Sequence, residues 1–309
     1  MAELDVLVVG QVARDLVLLV DGVPEAGGTA PVRRRRELLG GKGANQAVAA
    51  AQLGARVGLL GVVGDDEVGE RLLGQARADG IDVATVVRRP DTRTGLIVDL
   101  LDADARWRYL EDLPDGTLLD PADVAAAADA LRAARAVLVQ LQQPTAAALA
   151  AARAAHAAGR LVVLDGAPTD PADTDDLLAV ADVLRADARE AGLVAGDTPR
   201  DAEGGVAVGR DLLRRGPSLV AVEVSGAGNA FVWPDGHLFV PVSETPTVDT
   251  TGAGDAFVAA LTVALLRGES PSRAARYAVA AAGATVGHPG GRPALTTAAI
   301  EEQLVRIPA

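Results

Sequence analysis

Short apolar runs alternate along most of this chain with longer Ala-rich stretches whose apolar positions recur at helical spacing. Residues 4–9 are mostly apolar and end at Gly10, which predicts a buried strand, and residues 16–20 are strand-like. The Arg run 33–36 precedes Leu38 and Leu39 and predicts an exposed ribbon. Residues 44–53 predict a helix stopped by Gly54, residues 57–63 a strand, and residues 65–78 an amphipathic helix ending near Gly80. Residues 94–101 and 107–110 predict a strand pair around a polar turn at 102–106. Beyond this point the alternation is regular. Helices are predicted at 121–134, 144–158, 173–180, 201–215, 253–266, 270–286 and 296–305, with Glu190 opening another helical stretch. Strands are predicted at 136–141, 161–164, 183–184 and 219–224, and residues 230–233 and 237–240 flank a Pro-Asp-Gly turn as a hairpin.

Strands alternating with helices imply an α/β fold, with a mainly parallel sheet covered on both faces. Residues 11–39 and 90–112 depart from that alternation and are expected to form a small protruding β-lid on a single domain spanning 1–309. No Gly/Ser/Pro tract divides the chain and no solenoid repeat is present. The free edges of such a lid predict pairing with a second copy, a homodimer. Trp107 and Tyr109 read as lid or interface packing, and the Arg run as a solvated edge.

Composition narrows the function. Aromatic residues make up 2% of the chain, so Ala, Val and Leu must fill the core. The formal charge of -13 is opposite to that of a nucleic-acid binder, and an anion would need local dipoles or a cation to be held. The absence of cysteine excludes disulfides, thiolate metal sites and a Cys nucleophile. The acidic start lacks a signal-peptide n-region and no run of 18 apolar residues occurs, so a soluble, cytoplasmic protein with no membrane partner is expected.

The chain has one lysine, Lys42, all its other basic residues being arginine, and two asparagines, Asn45 and Asn229. Lys42 and Asn45 share the window Gly40-Gly41-Lys42-Gly43-Ala44-Asn45-Gln46. Either the lysine is chance retention, or a tight turn brings backbone close to a ligand and Lys42 and Asn45 supply donors. A second window, Asp249-Thr250-Thr251-Gly252-Ala253-Gly254-Asp255, opens a long apolar helix. Its amides and the helix dipole form an anion cradle. Asp255, in the first turn, either complements the dipole or takes a proton from an attacking hydroxyl beside that cradle.

Other motifs fail. There is no P-loop, and neither Gly-Ala-Gly segment has the third glycine of a dinucleotide fingerprint, which disfavours a dehydrogenase. His156, His237 and His288 are scattered, so a His-based zinc site is not expected, and no Gly-x-Ser-x-Gly elbow occurs.

The two windows resemble the two signatures of the ribokinase-like (pfkB) carbohydrate kinases, in order and separation, and residues 41–54 are most similar to ribokinases. The resemblance implies a ribokinase-like three-layer α/β sandwich of about nine strands with a β-lid. It also implies ATP-dependent phosphorylation of a primary hydroxyl of ribose or a related small sugar, with Mg²⁺ and a K⁺-like activator. Asp255 then matches the base, and Gly252, Ala253 and Gly254 the anion hole. Asp15, Gly41, Lys42, Gly43, Asn45 and Gln142 match sugar-side positions, and Asp187, Glu223, Ser225, Gly226 and Gly228 nucleotide-side positions, with Gly254 shared between base and nucleotide. Asp249, Thr251, Thr285, His288 and Gly290 match the monovalent-cation loops, largely through carbonyls, and Glu190 the Mg²⁺-linked acid. Four positions depart from the ribokinase pattern: Ala13 and Asp187 stand for Asn, Gln142 for Glu, and Glu223 for Thr. A missing buried hydrogen bond shifts substrate choice by orders of magnitude. Kinases of the family acting on fructose, a keto-sugar acid or a nucleoside are therefore rivals, as is a sugar-binding protein without turnover.

Overall fold

A strand that is apolar on both faces has to be covered on both faces, and all of Val6–Val9 is buried. The computed structural model describes residues 3–104, 106–242, 250–287 and 295–307. In chain order its strands are β1 (Val6–Val9), β2 (Ala13–Val20), β3 (Val32–Gly40), β4 (Val57–Leu60), β5 (Val62–Gly64), β6 (Val87–Arg89) and β7 (Leu96–Leu101). They continue with β8 (Trp107–Asp112), β9 (Ala136–Gln140), β10 (Leu161–Asp165), β11 (Val183–Ala186), β12 (Leu219–Val224), β13 (Gly228–Trp233) and β14 (Gly236–Pro241).

Eight strands form the main sheet in the order β14-β13-β12-β11-β10-β9-β1-β4. It is parallel from β4 to β12, and the β13–β14 hairpin adds an antiparallel edge. Alternate residues feed two cores. Val6, Val8, Leu138 and Val163 pack with the helices Lys42–Gln52, Ala253–Leu266 and Pro271–Thr285. Leu7, Val9, Val137 and Leu164 pack with the helix Thr145–Ala157 on the other face. The expected α/β layering is thus present. Alanines dominate the buried helix faces, as the scarcity of aromatics requires, and one of the few large contacts is Phe231 stacked on Phe257 at 5.6 Å.

A separate four-stranded sheet, in the order β3-β2-β7-β8, comes from the two stretches that broke the alternation. The Arg run lies on β3, where Arg33 pairs with Asp21 and Arg35 with Glu37. Two expectations change. Residues 57–63 are two strands, because the ladder with β1 ends as the Gly10 amide bonds the Leu60 carbonyl and the chain then turns at Gly61 to pair β5 with β6. Residues 121–134 are two helices, Pro121–Ala126 and Ala128–Ala133, with Ala127 (φ -91°, ψ 8°) between them. Among the described residues no helix is long and apolar enough to cross a membrane.

Helix Lys42–Gln52 begins directly on the end of β1. A Cβ on Gly43 would lie 2.5 Å from the Gly10 carbonyl carbon, so backbone meets backbone there. Gly43→Ala is expected to lose about 1–3 kcal/mol by overpacking. Gly74, exposed in helix Glu67–Ala78 with open space around it, should gain about 0.5–1 kcal/mol as alanine. Urea denaturation of both variants checks the opposite signs.

Candidate active site

The carboxyl ends of parallel strands are where α/β sheets place their ligands. Here residues at or just beyond the ends of β1, β9, β11 and β12 line a cavity of about 750 Å³ that the four-stranded sheet covers. That sheet turns Asp15, Val17, Ile97, Asp99, Trp107, Tyr109 and Glu111 toward the cavity, alternate positions on β2, β7 and β8. Trp107 and Tyr109 pack on each other (4.6 Å between centroids), as expected of lid packing, but they also line the cavity.

Asp255 enters from helix Ala253–Leu266, whose residues from Asp255 to Ala264 are all buried. The helix cap Gly252 has φ 74°, a left-handed conformation that favours glycine. It turns the first amides toward the cavity, and those of Gly254 and Asp255 have no partner among the described residues. Gly252, Ala253, Gly254 and Asp255 all line the cavity. The Asp255 carboxylate accepts from Gln46 Nε2 at 3.1 Å and from Asn45 Nδ2 at 3.4 Å. Burial, and next the charge of Asp165, push its pKa up to about 7 against the pull of Lys42, Gln46 and Arg185.

The same Gln46 Nε2 donates to Asp165 Oδ2 at 2.8 Å, so one amide bridges two buried carboxylates. Asp165 ends β10 and stands directly opposite Arg185 on β11, whose Nη1 donates to it at 3.1 Å. Burial alone would lower the Arg185 pKa, but Asp165 and Glu190 outweigh it and hold it above its ordinary value. Glu190 lies between two cations, 3.6 Å from Lys42 Nζ and 3.9 Å from Arg185 Nη1. Burial and the charge of Asp165 raise its pKa. Asp187 and Glu190 also form a capping box at the start of helix Ala188–Ala195, each side chain accepting from the other's amide.

Of the sugar-side positions, Asp15, Gly41, Lys42, Asn45 and Gln142 line the cavity, whereas Gly43 faces Gly10. Asp15 is buried and its Oδ1 has no hydrogen-bond partner. Burial, then the charges of Asp255 and Asp99, push its pKa up to about 7. Of the nucleotide-side positions, Asp187, Glu223, Gly228 and Gly254 line the cavity, and Ser225 and Gly226 are exposed turn residues outside its lining. Of the monovalent-cation positions, Thr251 lines the cavity, its hydroxyl bonded to that of Tyr109. Thr285 donates to the Ala281 carbonyl within its own helix. Asp249, His288 and Gly290 lie outside the described residues. Among the described residues no group of three acidic or histidine side chains stands ready to hold a metal.

Gln46, Asp99, Asp165 and Arg185 were not among the expected site residues. Gln46 lies inside the first window. Asp165 and Arg185 carried a fainter signal, as charged residues closing apolar strand runs.

The sequence profile of the pfkB family carbohydrate kinases matches residues 3–298. The ATP-dependent ribose-1-phosphate kinase of Halopiger xanaduensis is 34% identical over 299 residues, 96% of this chain and 96% of its own length. The bifunctional ribokinase/ribose-5-phosphate isomerase A of Fructilactobacillus sanfranciscensis is 30% identical over 257 residues, 83% of this chain, and this chain spans 47% of that protein. The structure of Arabidopsis thaliana ribokinase complexed with ribose and ATP has a TM-score of 0.81 at 26% identity, covering 97% of this chain and 98% of that one.

The raised pKa of Asp255 makes a stability prediction. A carboxyl whose folded pKa is raised from 3.8 to about 7 contributes stability fully below pH 4 and loses it as pH climbs through 7. Asp255→Asn should therefore raise the Tm relative to the unaltered protein at pH 8, and the gain should shrink by pH 5. Calorimetry at both pH values checks it, and an equal Tm difference at the two would count against the burial argument.

Proposed function

Since the chain belongs to the pfkB family carbohydrate kinases, we propose that it transfers the γ-phosphoryl group of ATP to the primary hydroxyl of ribose or a related small sugar. The observation that carries this reading is the placement of one buried carboxylate, Asp255, beside unpartnered helix-mouth amides in a cavity large enough for both substrates. Asp255 takes the proton of the acceptor hydroxyl, and the Gly252–Gly254 turn holds the charge of the transferring group, chiefly through the unpartnered amides of Gly254 and Asp255, since the Ala253 amide already donates to the Thr250 carbonyl at 3.3 Å. Asp15, Asn45 and Gln142 orient the sugar, with Gly41 and Lys42 beside it, and Asp187, Glu223 and Gly228 border the nucleotide. Ser225 and Gly226 would reach it only at its outer edge.

The sheet face over the acceptor end carries Asp15, Asp99 and Glu111 and no basic residue among its described lining. That charge favours an uncharged sugar over a sugar phosphate, even though one relative is a ribose-1-phosphate kinase.

Mg²⁺ takes one or two carboxylates plus substrate phosphates and keeps several waters. Glu190, just outside the cavity lining, has one oxygen to offer: Oε2 accepts from the Asp187 amide, and Oε1 faces Lys42 at 3.6 Å with no hydrogen bond among the described residues. When bound, the ion would neutralise phosphate charge, with Glu190 as its protein ligand. For K⁺, the Thr285 hydroxyl is already used within its helix, which leaves carbonyls as donors there. The free edges of β3 and β8 support a homodimer formed through the lid, and dependence on ATP supports action in the cytoplasm.

ADP release should be measured across ribose, deoxyribose, fructose, a keto-sugar acid, nucleosides and ribose 1-phosphate, with and without K⁺. Turnover is expected with ribose or a close neutral furanose. Asp255→Asn should lower kcat by at least about 10³-fold, the scale of general-base and cradle effects, with sugar affinity nearly unchanged. No ADP release with any acceptor would instead favour a binding protein.

A further inference from the structure

Arg185 is largely enclosed, with 11% of its side chain exposed, and it lines the cavity. A guanidinium offers five N–H donors. Among the described residues its only hydrogen bond is the one to Asp165, since Glu223 stands 3.9 Å from Nη2 and Glu190 3.9 Å from Nη1, beyond bonding distance. None of its unbonded nitrogens is sealed inside the protein, so the spare donors open onto the cavity that the residue lines.

The spare donors face one place. A Cβ on Gly254 would lie 2.9 Å from Arg185 Nη2 and 3.1 Å from Nη1, so the guanidinium edge lies against the middle residue of the helix-mouth cradle. Its carbon is 5.8 Å from the ring centre of Phe257, one turn further along that helix, which limits how far it can swing. Lys42 and Arg185 are the only basic side chains among the described lining residues.

We propose that Arg185 is a catalytic residue that donates hydrogen bonds to the transferring phosphoryl group, with Asp165 as the residue that positions it. The proposal rests on the sugar-kinase reading. In the transfer, the bond from the acceptor oxygen to the γ-phosphorus forms as the bond to the β–γ bridging oxygen breaks. The electron pair of the broken bond leaves with ADP, and the acceptor proton goes to Asp255. Arg185 gives up no atom; it meets charge spread over the equatorial oxygens, the task of an arginine in other phosphoryl transfers. Asp165 holds the guanidinium at the correct height and, through Gln46, ties its position to that of the base.

The test uses Arg185→Lys, Arg185→Met and the double variant Asp165→Asn/Arg185→Met, which leaves no buried carboxylate stranded. Each is assayed for kcat, sugar KM, and equilibrium binding of ADP and of a non-hydrolysable ATP analogue. The methionine variants should lose about 100-fold or more in kcat, with sugar KM within a few-fold and the lysine variant intermediate. Affinity for the ATP analogue should fall about ten-fold while ADP affinity holds. A folded double variant with kcat within three-fold of the unaltered protein overturns the proposal, as does an equal loss of ADP and ATP-analogue affinity. If the unaltered protein turned over no sugar, the kinase reading would fail, and the two nucleotide affinities would still decide whether Arg185 contacts the terminal phosphate.

Discussion

Helix Ala253–Leu266 has almost no polar face, and it carries the Asp255 carboxylate into the protein with it. An ionised carboxylate at such a depth needs compensation. It receives an amide bond from Gln46, a weaker one from Asn45, and the electrostatic pull of Lys42 and Arg185, and these do not offset its burial. A group left in that condition is poised to accept a proton near neutral pH, which is what a general base requires. Around it stand glycines at the helix mouth, an amide bridge to Asp165, and a second sheet that covers one side of the cavity.

The cavity is electrostatically divided. Lys42 and Arg185 flank Glu190 at the ends of the parallel strands, and Asp15, Asp99 and Glu111 face inward from the covering sheet. For a protein of net charge -13 this local reversal is what permits a polyanion to approach one end only. The same division favours an uncharged acceptor at the other end. Under the proposed function it would tie substrate choice to the lid strands, and phosphoryl transfer to the main sheet and the helix mouth.

Much of this could be read from the sequence because it is local. The apolar run before Gly10, the glycine stop after residue 53 and the Pro-Asp-Gly turn each specify structure within a few residues. The solitary lysine and the Gly-Ala-Gly-Asp window both line the same cavity, and the family match agrees with the resemblance they carry. The remainder was hidden because it depends on register. Asp165 and Arg185 are 20 residues apart and meet only because β10 and β11 pair with those positions opposite each other. Gly43 sits in a ligand-like window, yet its lack of a side chain is required by the approach of Gly10. The break at Gly61 follows from where the β1 ladder ends, a tertiary fact.

The proposed transfer requires Asp255 and the helix-mouth amides to share one reaction centre. A crystal structure of the protein with ribose and a non-hydrolysable ATP analogue tests this most directly. The terminal phosphate is expected within hydrogen-bond distance of the Gly254 and Asp255 amides, and a sugar hydroxyl within about 3 Å of the Asp255 carboxylate. A terminal phosphate bound elsewhere, or an Asp255 carboxylate with no hydroxyl in reach, would contradict it.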